Sequence, residues 1–373
     1  MIYLDNAATS FPKPPNVYEK LIECVKEYCG NPGRSSHYLS VRSVEEIYKT
    51  RELVANLLNI DAPERVVFTQ NATYALNIAI KTAIPDASHV LISDIEHNSV
   101  IRPIEAIKRS RGVDYSVFSL EGDVLANMRS VMNGKTKTVV CNLLSNVNGE
   151  EADLSKISDF CIKHSLTLIV DASQKIGHKP INILSTPCNI LCAPAHKSLF
   201  GIQGAGFLVI NDSHKRESFI EGGGGGESKR REMPIYLPER YEAGPLPTPS
   251  IVSLGAGIEF ILEVGIEEIE RKINKLTEEV LYELSRNSSL TDISGASGVI
   301  SFNARGIPSA RFAELLDGYG ICTRGGLHCA PLIHKRLGTD THGSVRVSLS
   351  YLNEESDIHA LLLAIKEILS VYS

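Results

Sequence analysis

Between Asn16 and Ile210, short apolar runs alternate with segments in which apolar residues recur every three or four positions. The short runs predict strands at Arg65–Thr69, His89–Ser93, Asp114–Ser119, Thr138–Leu144, Leu166–Asp171, Ile190–Ala193 and Gly206–Ile210. The periodic segments predict helices over Val41–Leu58, Thr73–Thr82, Val100–Lys108, Leu120–Met132 and Leu154–His164. Such alternation predicts an α/β fold, a mostly parallel sheet covered by helices on both faces. Ligands of such sheets bind beyond the carboxyl ends of the strands.

After Pro249 the pattern changes. A long helical stretch is predicted over Ile251–Leu284, then a strand at Gly298–Asn303 and a helix at Ser309–Tyr319. A loop from Thr323 to Pro331, a strand at Ser344–Leu349 and an amphipathic helix at Glu354–Val371 complete the chain. We therefore expect a large domain over 15–250 and a smaller α+β domain over 251–373, joined by the N-terminal segment 1–14. The glycine run Gly222–Gly226 and the prolines from Pro234 to Pro249 predict an irregular segment between them.

Composition narrows the function classes. With 373 residues, 43% hydrophobic and 22% charged, the chain suits a soluble protein with a sizeable core. A net charge of −6 and no basic run beyond Lys229–Arg231 argue against nucleic-acid binding. The apolar runs fall short of the ~18 residues of a membrane span. The N-terminus lacks the pattern of a signal peptide, and eight cysteines at these spacings form no disulfide framework. A cytoplasmic protein with reduced thiols is expected. No CxxC or HExxH occurs, so no metal site is expected.

Four segments could carry chemistry. Asp171 ends an apolar strand, and His196-Lys197 follows the next one. A carboxylate there can hold a protonated ring nitrogen, and a lysine of lowered pKa can form a Schiff base. Together they are the signature of a pyridoxal 5'-phosphate (PLP) site. Taken singly, Asp171 also suits a helix N-cap and Lys197 a surface lysine. Thr69-Gln-Asn-Ala-Thr73 stands between a strand and a helix, where backbone N–H groups bind phosphate or form an ordinary cap. Thr323-Arg-Gly-Gly-Leu-His-Cys-Ala-Pro331 places Cys329 in a glycine-flanked loop, where Arg324 and His328 would favour its thiolate. The alternative is a structural cysteine in a turn. Arg346 lies within an apolar strand and needs a carboxylate partner, either the protein's own or a substrate's.

These segments together resemble a known family. They are Tyr3-Leu-Asp-Asn-Ala-Ala-Thr9, Asn31-Pro-Gly-Arg-Ser-Ser-His37, Asn71-Ala-Thr-Tyr-Ala-Leu-Asn77, Glu96-His-Asn-Ser-Val100, Ser145-Asn-Val147, Val170-Asp-Ala-Ser-Gln174, His196-Lys197, Glu242-Ala-Gly244 and Gly326-Leu-His-Cys-Ala-Pro331. Their order and spacing over nearly the whole chain resemble the cysteine desulfurases, including the selenocysteine-lyase-like branch, of the class V aminotransferases. The resemblance implies a fold-type I PLP enzyme that converts L-cysteine to L-alanine and passes sulfur to Cys329 as a persulfide. It implies that Lys197 holds PLP and shuttles the Cα proton, and that Asp171 pairs with the pyridine nitrogen. His97 would stack on the ring and Gln174 would bond its phenolic oxygen. Ala72, Thr73 and His196 would hold the phosphate. Asn146 and Arg346 would orient the substrate carboxylate. A homodimer and a separate sulfur-acceptor protein are further implications.

The chain departs from the family pattern around the phosphate. Pro194 stands where Ser or Thr is usual, Gly224 where a threonine reaches the neighbouring subunit, and Pro245-Leu-Pro247 where a threonine and an asparagine are usual. Gly201-Ile-Gln-Gly204 replaces the usual GPxG after the lysine. Two alternatives stay open on these grounds. One is a related PLP enzyme acting on selenocysteine, cysteine sulfinate or another amino acid, as a lyase or aminotransferase. The other is a non-catalytic binding protein of the same fold.

Overall fold

The computed structural model describes residues 1–33, 35–214, 216–224, 226 and 229–372; Arg34 and Gly225, which belong to two segments quoted above, lie outside the described residues. Among the described residues thirteen strands are formed: β1 Ile2–Tyr3, β2 Val66–Thr69, β3 His89–Ser93, β4 Asp114–Phe118, β5 Thr136–Asn142, β6 Thr167–Asp171, β7 Ile190–Pro194, β8 Gly206–Ile210, β9 Leu290–Ala296, β10 Val299–Ala304, β11 Ile321–Cys322, β12 Arg324–Gly326 and β13 Ser344–Ser348.

Seven of them make the large sheet in the order β2-β8-β7-β6-β5-β3-β4. Strand β8 runs antiparallel to both neighbours, and the remaining pairs are parallel. Parallel strands are buried on both faces, which is why they read as continuous apolar runs. Alternate residues feed two separate cores. Leu91, Val139, Leu168 and Leu191 face one, whereas Val90, Val140, Ile169 and Ile190 face the other. The α/β class, with its mostly parallel sheet, is as expected from the sequence.

A second sheet, β12-β13-β10-β9, is antiparallel throughout. The N-terminus is woven into this region: β1 pairs with β11, and Asp5 bridges to Ser348 at the end of β13. The turn after β5 passes close to the second sheet. A Cβ at Gly149 would lie 1.8 Å from the carbonyl oxygen of Ala296, so only glycine fits that crossing.

The structure corrects three expectations. The helical stretch after Pro249 is two helices, Thr248–Val264 and Ile266–Ser285, bent by 83°. Gly265 between them has φ 89°, a conformation that ends an α-helix. The half-exposed strand β9 gave no apolar run to detect. The expected loop from Thr323 to Pro331 contains strand β12 and ends where the helix Pro331–Leu337 begins. Gly325 packs closely against the helix Ser309–Gly318: a Cβ there would meet the backbone of Ser309 and Ala310 at 2.4–2.6 Å. Among the described residues, no single helix is long and apolar enough to cross a membrane.

Candidate active site

The parallel strands end on one edge of the sheet, and the chain leaving β3, β5, β6 and β7 contributes to one cleft of about 240 Å³. Its wall includes Ala72, Thr73, His97, Asn146, Asp171, Gln174, His196, Lys197 and Arg346, nine of the ten residues singled out from the sequence. The tenth, Cys329, directly follows the wall residue His328 and is exposed.

Asp171 and Lys197 come from neighbouring strands, with Asp171 in register with Cys192. Asp171 accepts the Ser173 backbone N–H at 2.9 Å, and burial raises its pKa. Burial lowers the Lys197 amine to about 8, assisted by Arg346 and Arg324 and opposed by Asp171. The lysine therefore reaches its neutral, nucleophilic form near neutral pH. It is not a surface lysine.

On one side of these two stands His97, the N-cap of the helix Asn98–Arg111. Its Nδ1 accepts the Ser99 N–H at 3.1 Å. Burial, with Lys197 and Arg324 adding, holds its pKa down to about 4, so the ring is neutral. Gln174 donates from Nε2 to the Ala7 carbonyl at 2.9 Å, which leaves that amide a second N–H. Burial also lowers His196 to about 4, and its Nδ1 has no partner among the described residues.

Ala72 and Thr73 open the helix Ala72–Ala83, which Asn71 caps by accepting the Tyr74 N–H at 3.0 Å. Its first N–H groups are free to meet an anion. The Thr73 and Ser99 hydroxyls lie 2.9 Å apart. Pro194 also lines the cleft and offers neither hydroxyl nor N–H.

The opposite side is built from the second sheet. Arg346 on β13 is 1% exposed. It donates to the Asn146 carbonyl at 2.9 Å and pairs with Asp5 at 2.5 Å. The strand arginine thus has a carboxylate of the protein as its partner. The Asn146 amide donates to the His328 carbonyl at 2.7 Å, and its Oδ1 is unpartnered among the described residues. His328 and Cys329 have φ 49° and 57°, so the cysteine sits on a tight left-handed turn. That turn is fastened to the helix carrying His97, because Asn98 N donates to the Cys329 carbonyl at 2.8 Å.

Sequence reasoning gave no individual role to Asp5, Ser99 or Glu96. Asp5 lay within a quoted segment, and the need of Arg346 for a carboxylate was the signal that could have found it.

Buried polar atoms without partners (His196 Nδ1, Asn146 Oδ1 and Arg346 Nε) surround the cleft, its carboxylate ends β6 and its lysine follows the adjacent strand β7. These residues fit PLP, with its phosphate at a helix N-terminus, its ring nitrogen near a carboxylate and its aldehyde near an amine. Fold and site together define a fold-type I PLP enzyme. Comparison with known proteins makes this specific. The model of the family "Aminotransferase class-V" matches residues 2–361. A probable cysteine desulfurase from Methanothermobacter thermautotrophicus is 31% identical, covering 98% of this chain and 94% of that protein. Another from Pyrococcus abyssi is 30% identical, covering 99% and 94%. The apo structure of a cysteine desulfurase from Thermococcus onnurineus superposes with a TM-score of 0.92 at 27% identity, covering 99% of this chain and 94% of that one. The chain belongs to the class V aminotransferase family, whose cofactor is PLP.

Proposed function

We propose that this protein is a PLP-dependent cysteine desulfurase that converts L-cysteine and the Cys329 thiol into L-alanine and a Cys329 persulfide. The observation that carries the reading is the placement of an exposed cysteine on a turn pinned to the His97 helix and to Asn146, next to the wall of the cleft that holds Lys197 and Asp171. Its relatives bear the name cysteine desulfurase over nearly their full length.

Bound PLP supplies an electron sink that lets the substrate lose its Cα proton and weakens its Cβ–S bond. The chain's residues have distinct tasks. Lys197 holds the cofactor and, with a pKa near 8, takes and returns the Cα proton. Asp171 would keep the ring nitrogen protonated, and the neutral His97 ring would stack on the cofactor and assist proton transfer. Gln174 would donate to the phenolic oxygen. The N–H of Ala72, with Thr73 and His196, would hold the phosphate. Asn146 and Arg346 receive the substrate carboxylate. The Cys329 thiolate attacks the substrate sulfur, a new S–S bond forms as the Cβ–S bond breaks, and the Cβ carbon takes up a proton. The persulfide then stands at an exposed position, open to an acceptor protein. All eight cysteines are free thiols, which suits a reducing cytoplasm. The active form is a homodimer.

The test is the visible spectrum of the protein with PLP, before and after L-cysteine, together with assays of alanine and persulfide. A lysine-bound PLP band that changes with cysteine is expected. Cys329→Ala should keep the band and lose alanine formation about 100-fold or more, as removal of a nucleophile does. Absence of the band in excess PLP, or full turnover by Cys329→Ala, would overturn the reading.

A further inference from the structure

Arg346 is sealed into the cleft wall, and a guanidinium so buried requires an anion. The anion is Asp5, whose Oδ1 lies 2.5 Å from Nη2. Asp5 is not itself part of the cleft wall, so it grips the arginine from outside the cleft. The Asn146 carbonyl accepts from Nη1 at 2.9 Å. Nε alone is buried without a partner among the described residues. Two of the three nitrogens are thus committed to the protein, and the third is left over.

The main chain around Asp5 is anchored on both sides. Leu4 N donates to the Cys322 carbonyl at 2.9 Å, and Asn6 N donates to the Ser348 carbonyl at 3.3 Å. Ala7 N donates to Ser348 Oγ at 2.9 Å. Ser348 lies two residues beyond Arg346 on β13, so the carboxylate and the guanidinium are referenced to the same strand. Planar guanidinium–carboxylate recognition depends on orientation, and a long side chain left untethered samples several rotamers.

We propose that Asp5 is the positioning residue that fixes Arg346 and thereby makes the site select amino acids bearing a carboxylate over amines lacking one. The proposal rests on the reading of Arg346 as the substrate-carboxylate residue. Asp5 touches neither substrate nor cofactor; it acts through the arginine. Because the clamp holds Nη1 and Nη2, Arg346 meets an incoming carboxylate in one orientation, with Nε available.

The test compares two ligands of the holoenzyme, L-alanine and ethylamine, which share an amine and differ in the carboxylate. Dissociation constants are read by calorimetry and do not depend on turnover. The wild-type protein should prefer L-alanine. In Asp5→Ala that preference should fall about tenfold or more, the effect of losing a hydrogen bond to a charged group. Asp5→Asn keeps an acceptor oxygen and should retain part of the preference; it carries the same comparison if the alanine variant does not fold. Equal weakening of both ligands would reduce Asp5 to a structural residue and overturn the proposal. So would tighter L-alanine binding, which would mean that Asp5 opposes the carboxylate. A wild-type protein that binds ethylamine as well as L-alanine would instead overturn the reading of Arg346, and this proposal with it.

Discussion

At the scale of single residues, burial decides what each charged group can do. Lys197 is made less basic by its enclosure, which suits proton traffic near neutral pH, and His97 is held neutral. Glu96 shows the opposite sign. It lies wholly inside, where its Oε1 accepts from Ser93 Oγ at 2.5 Å and Asn142 N at 2.7 Å, while Oε2 has no partner among the described residues. Burial, with Asp171 nearby, outweighs these bonds and raises its pKa from 4.5 to about 8. The folded protein then keeps a proton that the unfolded chain releases. Glu96 therefore costs stability progressively as pH rises from about 4.5 to about 8, and the cost is absent below that window. Glu96→Gln imitates the protonated acid. It should be more stable than the wild-type protein at pH 8, by on the order of 4 kcal/mol, with the advantage vanishing near pH 4.5. Urea midpoints at both pH values check this. A difference independent of pH would mean that Glu96 is ionised in the fold.

At the scale of elements, the large sheet was legible because strands buried on both faces leave uninterrupted apolar runs. Asp171 and Lys197 were legible because both follow strands of that kind. Strand β9, half-exposed and carrying Thr291, Asp292 and Ser294, gave no such run. The bend at Gly265 was hidden because both flanking helices continue the apolar pattern. Nor does sequence spacing report how tightly elements meet, as the junction of β8 with the helix Ala72–Ala83 illustrates. A Cβ at Gly206 would lie 2.6–2.8 Å from backbone atoms of Asn71 and Ala72, which cannot yield cheaply. Gly206→Ala should therefore displace the start of the helix to which the proposed function assigns the phosphate. We expect a loss of about 1–3 kcal/mol in stability and weaker PLP retention on dialysis. Gly134→Ala, with open space around the added carbon, is the matched control and should change neither. Equal behaviour of the two variants would show that the close approach does not constrain the helix start.

At the scale of the whole molecule, the outer surface carries apolar side chains in helical register. Val41, Val44 and Tyr48 recur along the helix Tyr38–Leu57 and are 44%, 42% and 50% exposed. Tyr18, Ile22 and Val25 do the same along the helix Pro15–Glu23 and the turn after it. A stripe of this kind on the outward face of a helix runs against the usual pattern, in which apolar residues face the core. Val44 and Tyr48 also border a depression of about 380 Å³ that includes Gly224, Tyr236 and Leu246. The stripe therefore continues into the glycine- and proline-rich segment between the two sheets. Self-association of this surface would bury it symmetrically, as the proposed homodimer requires. Charge placed there should break the association, because a buried unpaired carboxylate is costly. The wild-type protein should sediment at twice the monomer mass, and the double variant Val44→Glu, Tyr48→Glu should shift to the monomer at micromolar concentration. Both side chains point away from the core, so the variant should keep its far-UV circular dichroism. A wild-type monomer, or a dimer indifferent to these charges, would place the subunit contact elsewhere or nowhere. If PLP retention falls together with the dimer, the partner subunit completes the cofactor site. Retention by the separated monomer would leave the helix Ala72–Ala83, His196 and Lys197 sufficient by themselves.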